Sequence, residues 1–206
     1  RVECRGRFRL RCSCHWVQPP RPSGRAVMRR PLPGDPTHAA LIERIIRVDH
    51  AGEFGAKRIY EGQLAVLKKD PSADVIRHMA DQEQQHLKTF EQLIAARGVR
   101  PTLLHPLWHV AGYALGAATA FLGPKAAMAC TVAVEETIDA HYTKQIDALS
   151  DNEAELKATL TQFRADEIAH RDTGLAHGAE EAPGYGLLKS AVGAATRFAI
   201  FLSERI

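Results

Sequence analysis

The chain has 206 residues, 45% of them hydrophobic but only 6% aromatic, and a formal charge of +3. That size fits a single domain, and the abundance of Ala, Leu, Ile, Glu, Gln and Lys favours helix. The charge is uneven: residues 1–30 hold nine Arg and one acid, Glu3, leaving 18 basic and 23 acidic residues beyond. The body is therefore mildly acidic, and nucleic acid is excluded as an expected partner.

Residues 1–27 lack the apolar run of a secretory signal. Being Arg-rich and acid-poor, they fit either an organelle-targeting peptide or a mis-assigned extension before a start at Met28. Residues 1–36 are expected to form a disordered basic tail and residues 37–206 the folded domain. Cys4, Cys12, Cys14 and Cys130 offer no disulfide framework, and the Cys12-x-Cys14 pair has no second pair to complete a metal site. A reducing compartment follows.

Thr37 is a candidate N-cap for a helix reaching about Lys69, with Ile42, Ile46, Ala56, Tyr60, Leu64 and Leu67 on one stripe. Asp70, Pro71 and Ser72 make a turn in which Ser72 can cap a second helix ending at Gly98. Residues 100–124 form a long connection around an apolar helix, closed by Gly123 and Pro124. The next helix runs from about Lys125 to Leu149, with Met128, Ile138, Tyr142 and Leu149 aligned. Asp151 or Asn152 caps its successor, whose stripe is Leu156, Leu160 and Phe163. Pro183 and Gly184 precede a final amphipathic helix with Leu187, Leu188, Val192, Phe198 and Leu202 on its apolar side. No β pattern competes, so the chain reads as all-α.

Two helices carry Glu-x-x-His, as Glu83 with His86 and Glu167 with His170. Residues three apart share a helix face, and both motifs interrupt the apolar seam: Ile76, Met79, Glu83, His86, Phe90, Leu93 in one helix, Leu160, Phe163, Glu167, His170, Gly174, His177 in the other. The two remaining long helices each place one Glu in the seam. Glu53 lies between Ile46 and Tyr60, flanked by Gly52 and Gly55, which leave space around it. Glu135 lies between Met128 and Tyr142, whereas Glu136 falls on the face of Asp139 and Thr143.

The order is thus Glu, Glu-x-x-His, Glu, Glu-x-x-His, with separations of 30 residues from Glu53 to Glu83 and 32 from Glu135 to Glu167. In the second pair both groups sit roughly 22 to 25 Å from the turn near Ser150, at nearly one level. The long middle connection supplies the single crossover of a ferritin-like four-helix bundle, with two additional apolar or amphipathic helices. Four buried carboxylates require compensating charge, which two divalent cations provide. Oxygen-rich ligation with one imidazole per ion suits Fe or Mn better than Zn.

The stretches IIRVDHAGEFGAKRIYEGQ, DQEQQHL, RPTLLHPLW, ALGAATAFLG, AMACTVAVEETIDAHY, FRADEIAHRDTGLAH and FLSERI resemble the demethoxyubiquinone hydroxylase family, over about residues 38–206. The resemblance implies a di-iron monooxygenase of ubiquinone biosynthesis that hydroxylates a demethoxyubiquinol ring with O₂, with NADH as electron source. It implies Glu53, Glu83, His86, Glu135, Glu167 and His170 as metal ligands, Glu83 helping to place one iron and Glu167 the other. It also implies peripheral membrane attachment, facing the cytoplasm in a bacterium or the matrix side of the inner membrane in a mitochondrion.

Other residues carry weaker expectations. Tyr60 and Tyr142 lie two turns from a ligand and can line a substrate or proton path. His141 can position the quinol, and Arg197 can bond an outer carboxylate or the ring. Asp49 is placed to support a ligating His, whereas His50, His78, His105 and His109 read as surface or capping residues. The apolar segments 103–122 and 186–202 are too short or too interrupted to span a bilayer and fit its interface. They equally fit a second copy of the chain or a lipid-binding accessory protein of the pathway. The rival functions are an iron-storage ferritin, a manganese catalase, or a quinone-lipid-binding accessory protein with a structural metal. A soluble storage shell needs polar faces, which those two segments do not offer.

Overall fold

A computed structural model describes residues 36–206. The expectations for the tail and for Cys4, Cys12 and Cys14 lie outside the described residues. Within them, six α-helices and no strand occur: α1 (His38–Leu67), α2 (Ala73–Arg97), α3 (His105–Phe121), α4 (Pro124–Ala148), α5 (Ala154–Ala176) and α6 (Tyr185–Ser203).

Local chemistry sets the ends of these helices. Thr37 caps α1, its hydroxyl oxygen accepting from the Ala40 N–H at 3.2 Å. Ser72 precedes α2 but does not cap it: its N–H and its hydroxyl both donate to Asp70 Oδ1, at 2.9 and 2.7 Å, tying it into the turn. Asp151 and Asn152 do not cap α5 either. They lie in a 3₁₀ turn, Asp151–Glu153, and α5 starts at Ala154. Gly98 closes α2 in the left-handed conformation (φ 64), its N–H reaching the Ile94 carbonyl.

α1 packs with α2 and α4 with α5 as two antiparallel hairpins, and α3 crosses from one to the other, giving the ferritin-like bundle. α3 lies along α1, and α6 lies along α4. The α1–α3 contact brings backbones together: a Cβ on Gly116 would stand 1.9 Å from the Ile59 carbonyl oxygen, and one on Gly62 2.2 Å from that of Tyr113. Only glycine fits there.

Two apolar layers fill the bundle. One contains Tyr60, Leu67, Ile76, Met79, Met128 and Val132. The other contains Ile42, Ile46, Phe90, Tyr142, Leu156 and Leu160. On α1, α2 and α4 the in-seam Glu and His residues fall between these layers, so the polar level is walled above and below by hydrocarbon.

α6 departs from its expected single apolar side. It buries Val192, Gly193 and Ser203, while Phe198 stays 61% exposed and Leu202 only half-buried. Leu187 and Phe201 are exposed as well, as are Leu103, Leu107, Val110 and Phe121 in and beside α3. Among the described residues, no helix is long and apolar enough to cross a membrane.

Candidate metal centre

All six residues picked from the seam are buried: Glu53 on α1, Glu83 and His86 on α2, Glu135 on α4, and Glu167 and His170 on α5. Single ligand atoms of Glu53, Glu83, His86 and Glu167 lie within 4.8 Å of one another, as do those of Glu83, Glu135, Glu167 and His170. The cluster therefore has two adjoining positions. Glu83 and Glu167 belong to both groups, a sharing that the expectation of one to each ion did not include. Glu53 and Glu135 each serve one end.

Glu136, one residue on, is partly exposed and accepts from the Lys189 ammonium at 2.7 Å. The helical period thus separates the two glutamates as expected.

Each half of the bundle braces the other. The Tyr142 hydroxyl on α4 donates to Glu53 Oε1 at 2.5 Å, and the Tyr60 hydroxyl on α1 donates to Glu135 Oε1 at 3.0 Å. The imidazoles follow the same exchange. His86 Nε2 is 3.2 Å from Asp166 Oδ2 on α5, and His170 Nε2 is 3.1 Å from the Gln82 side-chain oxygen on α2. Each imidazole also turns Nδ1 to the carboxylates, His86 Nδ1 lying 3.2 Å from Glu167 Oε1 and His170 Nδ1 3.1 Å from Glu83 Oε1, so an Nε2–H donated to Asp166 or Gln82 would leave the Nδ1 lone pair for a metal. That is the tautomer a metal ligand needs.

Sequence reasoning missed Gln82 and Asp166. A signal existed, since each immediately precedes the Glu of its own motif, but its target lies on the opposite helix. Asp49, chosen instead, reaches neither metal-side His. It accepts from Gln145 Nε2 at 2.7 Å and lies 3.5 Å from His141 Nε2, so helix neighbourhood misidentified its partner.

His141 sits with Asp49 and Gln145 between α1 and α4, about 14% exposed. Arg197 is exposed and makes no hydrogen bond or ion pair among the described residues, so it bonds no outer carboxylate there. His78 and His109 are exposed as expected. His50 is not: it is buried, with Nδ1 3.2 Å from His105 Nε2 and the two rings stacked.

The electrostatics call for positive charge. Burial, then the neighbouring Glu167 carboxylate, pushes the carboxyls of Glu83 and Glu135 well above the usual range. Burial alone would lower the His86 imidazole, but Glu167 and Glu53 drive it up to about 11. Glu53 Oε2, Glu83 Oε1, Glu167 Oε1 and His86 Nδ1 are buried with no hydrogen-bond partner among the described residues. Orphaned buried acceptors are expensive. All four residues belong to one of the two positions, and Glu83 and Glu167 also serve the other; this buried negative charge fits a pair of cations, and the O-rich donor set with one imidazole each fits iron or manganese.

Beside this cluster lies an apolar cavity of about 150 Å³ between α1, α3, α4 and α6. Gly52 and Gly55, which bracket Glu53, line one wall, and Val134, next to Glu135, lines another; Trp108 and Ile138 complete it.

Residues 40–203 match the family model described as "Ubiquinone biosynthesis protein COQ7". The chain is 57% identical over 185 residues to a 3-demethoxyubiquinol 3-hydroxylase of Rhodospirillum rubrum, covering 89% of this chain and 87% of that protein. It is 54% identical over 171 residues to the NADPH-dependent 3-demethoxyubiquinone 3-hydroxylase, mitochondrial, of Homo sapiens (81% and 79% covered). It is 41% identical over 185 residues to the 5-demethoxyubiquinone hydroxylase, mitochondrial, of Saccharomyces cerevisiae (82% and 79% covered).

Proposed function

This chain belongs to the ubiquinone biosynthesis protein COQ7 family, and from that premise we propose that it hydroxylates the ring of a prenylated demethoxybenzoquinol with O₂. Glu53, Glu83, His86, Glu135, Glu167 and His170 would hold two iron ions. One oxygen atom enters a ring C–H bond and the other leaves as water, taking up two electrons and two protons. The electrons come from a reduced nicotinamide, NADH in this reading, although the human relative's name specifies NADPH. Bound iron supplies the activation of O₂.

The observation that carries this reading is a buried, charge-hungry carboxylate–imidazole cluster with an apolar cavity sized for one ring beside it, lined by Gly52 and Val134, the chain neighbours of Glu53 and Glu135. The chain's own residues do the positioning. Gln82 and Asp166 hold the imidazoles in the ligating tautomer, while Tyr60 and Tyr142 hold the two end carboxylates and keep a proton beside each. Burial, followed by the adjacent glutamate, raises both phenols well above their ordinary value, so both stay protonated. His141 and Arg197 are assigned to orienting the quinol head group.

The substrate's prenyl chain belongs in a bilayer. The exposed Leu103, Leu107, Val110 and Phe121 on one side, with Leu187 and Phe198 on the other, offer an apolar face for peripheral attachment to the membrane surface. Attachment would be cytoplasmic in a bacterium and matrix-side in a mitochondrion. A lipid-binding accessory protein or a second copy of the chain are the other occupants that face admits.

The test is anaerobic loading with ferrous iron, followed by a short-chain demethoxyquinol and ¹⁸O₂. The expected product is a ring carrying one ¹⁸O atom. Peroxide disproportionation with no ring product would indicate a catalase, and an accumulating ferric core a storage protein. Quinol bound but unchanged would indicate an accessory lipid binder.

A further inference from the structure

Gly52 and Gly55 stand on either side of Glu53 in the interior of the 30-residue α1, where glycine weakens a helix relative to alanine. Packing does not require them. At Gly62 and Gly116 an added Cβ would collide with the backbone of α3 and α1 respectively, but at Gly52 and Gly55 it meets nothing within 4 Å among the described residues. The open space is the cavity, whose wall both glycines form together with Trp108, Val134 and Ile138. Its volume of about 150 Å³ matches that at which a dry apolar cavity accepts one benzene-sized ring. A ring placed there lies against the α1 and α4 segments that carry Glu53 and Glu135.

We infer that Gly52 and Gly55 are specificity-determining residues, the side chains they lack being the room taken by the substituted ring of the substrate. The inference rests on the quinol reading above. A volume that holds one ring has no space for the prenyl chain as well, so the chain leaves between α3 and α6. Alanine at either glycine removes ring space without a clash in the helix. Such a variant becomes a more stable protein and a poorer binder of the methoxy-bearing ring, two changes that a packing glycine would not combine.

The experiment uses the iron-loaded, anaerobic protein in a Trp16→Phe background, which leaves Trp108, a wall residue of the cavity, as the sole indole. Quenching of Trp108 by a short-chain demethoxybenzoquinone reports affinity without turnover. Wild type is expected to saturate. Gly52→Ala and Gly55→Ala are expected to bind about 10-fold or more weakly, to lose less affinity for a ring lacking the methoxy group, and to melt about 2 °C higher. Unchanged affinity and ring preference in both variants, with wild type saturating normally, would overturn the inference and leave the quinol reading standing. A lowered melting temperature in both would make them packing glycines and overturn it too. No saturable quenching in wild type would instead sink the quinol reading, and this inference with it.

Discussion

Glu135 and Glu136 are adjacent in sequence and opposite in environment, one buried beside the carboxylates of Glu83 and Glu167 and the other in a surface pair with Lys189. Glu135→Ala is expected to lose at least one iron per chain and all ring hydroxylation, because the charge balance and geometry of one position are then incomplete. Glu136→Ala removes only a partly exposed pair and is expected to cost about 0.5 kcal/mol or less. Iron analysis and thermal melts of the two variants check this, and the reverse ranking would mean the α4 register is misassigned. Gln82→Ala and Asp166→Ala leave every proposed ligand in place but free the imidazoles they orient. Each is expected to weaken iron binding about 10- to 100-fold, read by competition with a chelator. Affinities equal to wild type would remove both residues from the account. His50 tests the molecule's response to acid. Burial, then His105, lowers its imidazole to about 4 from an ordinary 6.5. Between those values the unfolded chain binds a proton that the folded chain refuses, so stability falls as pH drops from about 6.5 to 4. His50→Asn is expected to flatten the melting temperature's pH dependence in that window, and an unchanged slope would show that His50 is not held neutral.

At the scale of helices, the seams were legible because a 3.6-residue period needs no partner to be read. Ile76, Met79, Phe90 on α2 and Leu156, Leu160, Gly174 on α5 are buried where the period put them, and the ligand residues between them with it, while His177 at the end of the α5 seam is exposed. What one helix cannot reveal is what faces it. Gln82 and Asp166 act on imidazoles of the opposite helix, and Asp49 meets α4 rather than α2 or α5. His50 looked like a surface residue because its cover, His105, comes from a helix 55 residues away. α6 misled for another reason: its apolar residues surround the helix, so only Val192 and Gly193 of its central turns are buried and Phe198 and Phe201 face outward. On the C-terminal half of α6 the membrane reading therefore rests on those two phenylalanines rather than on Leu202. Phe198→Glu with Phe201→Glu is expected to abolish flotation with liposomes while the oligomeric state stays as in wild type. Retained flotation would exclude α6 as the anchor. Loss of flotation together with dissociation of an oligomer would favour subunit packing.

Across the whole molecule, the two halves repeat one plan. α1, α2 and α3 supply Glu, Glu-x-x-His and an outer apolar helix, and α4, α5 and α6 supply the same. The halves are interdependent, because each half's Tyr, and the polar residue before each half's motif, brace ligands of the other. Neither metal position is complete within one half, since Glu83 and Glu167 belong to both. Filling one position neutralises carboxylates shared with the second, so the two ions are expected to bind as a coupled pair rather than as independent sites. The most direct measurement is an anaerobic titration of the metal-free protein with ferrous ion, followed by calorimetry and iron analysis after gel filtration. The account predicts two tightly bound iron ions per chain, both lost when Glu83 or Glu167 is replaced by Ala. Saturation at one ion per chain, or two ions retained in either variant, would contradict it.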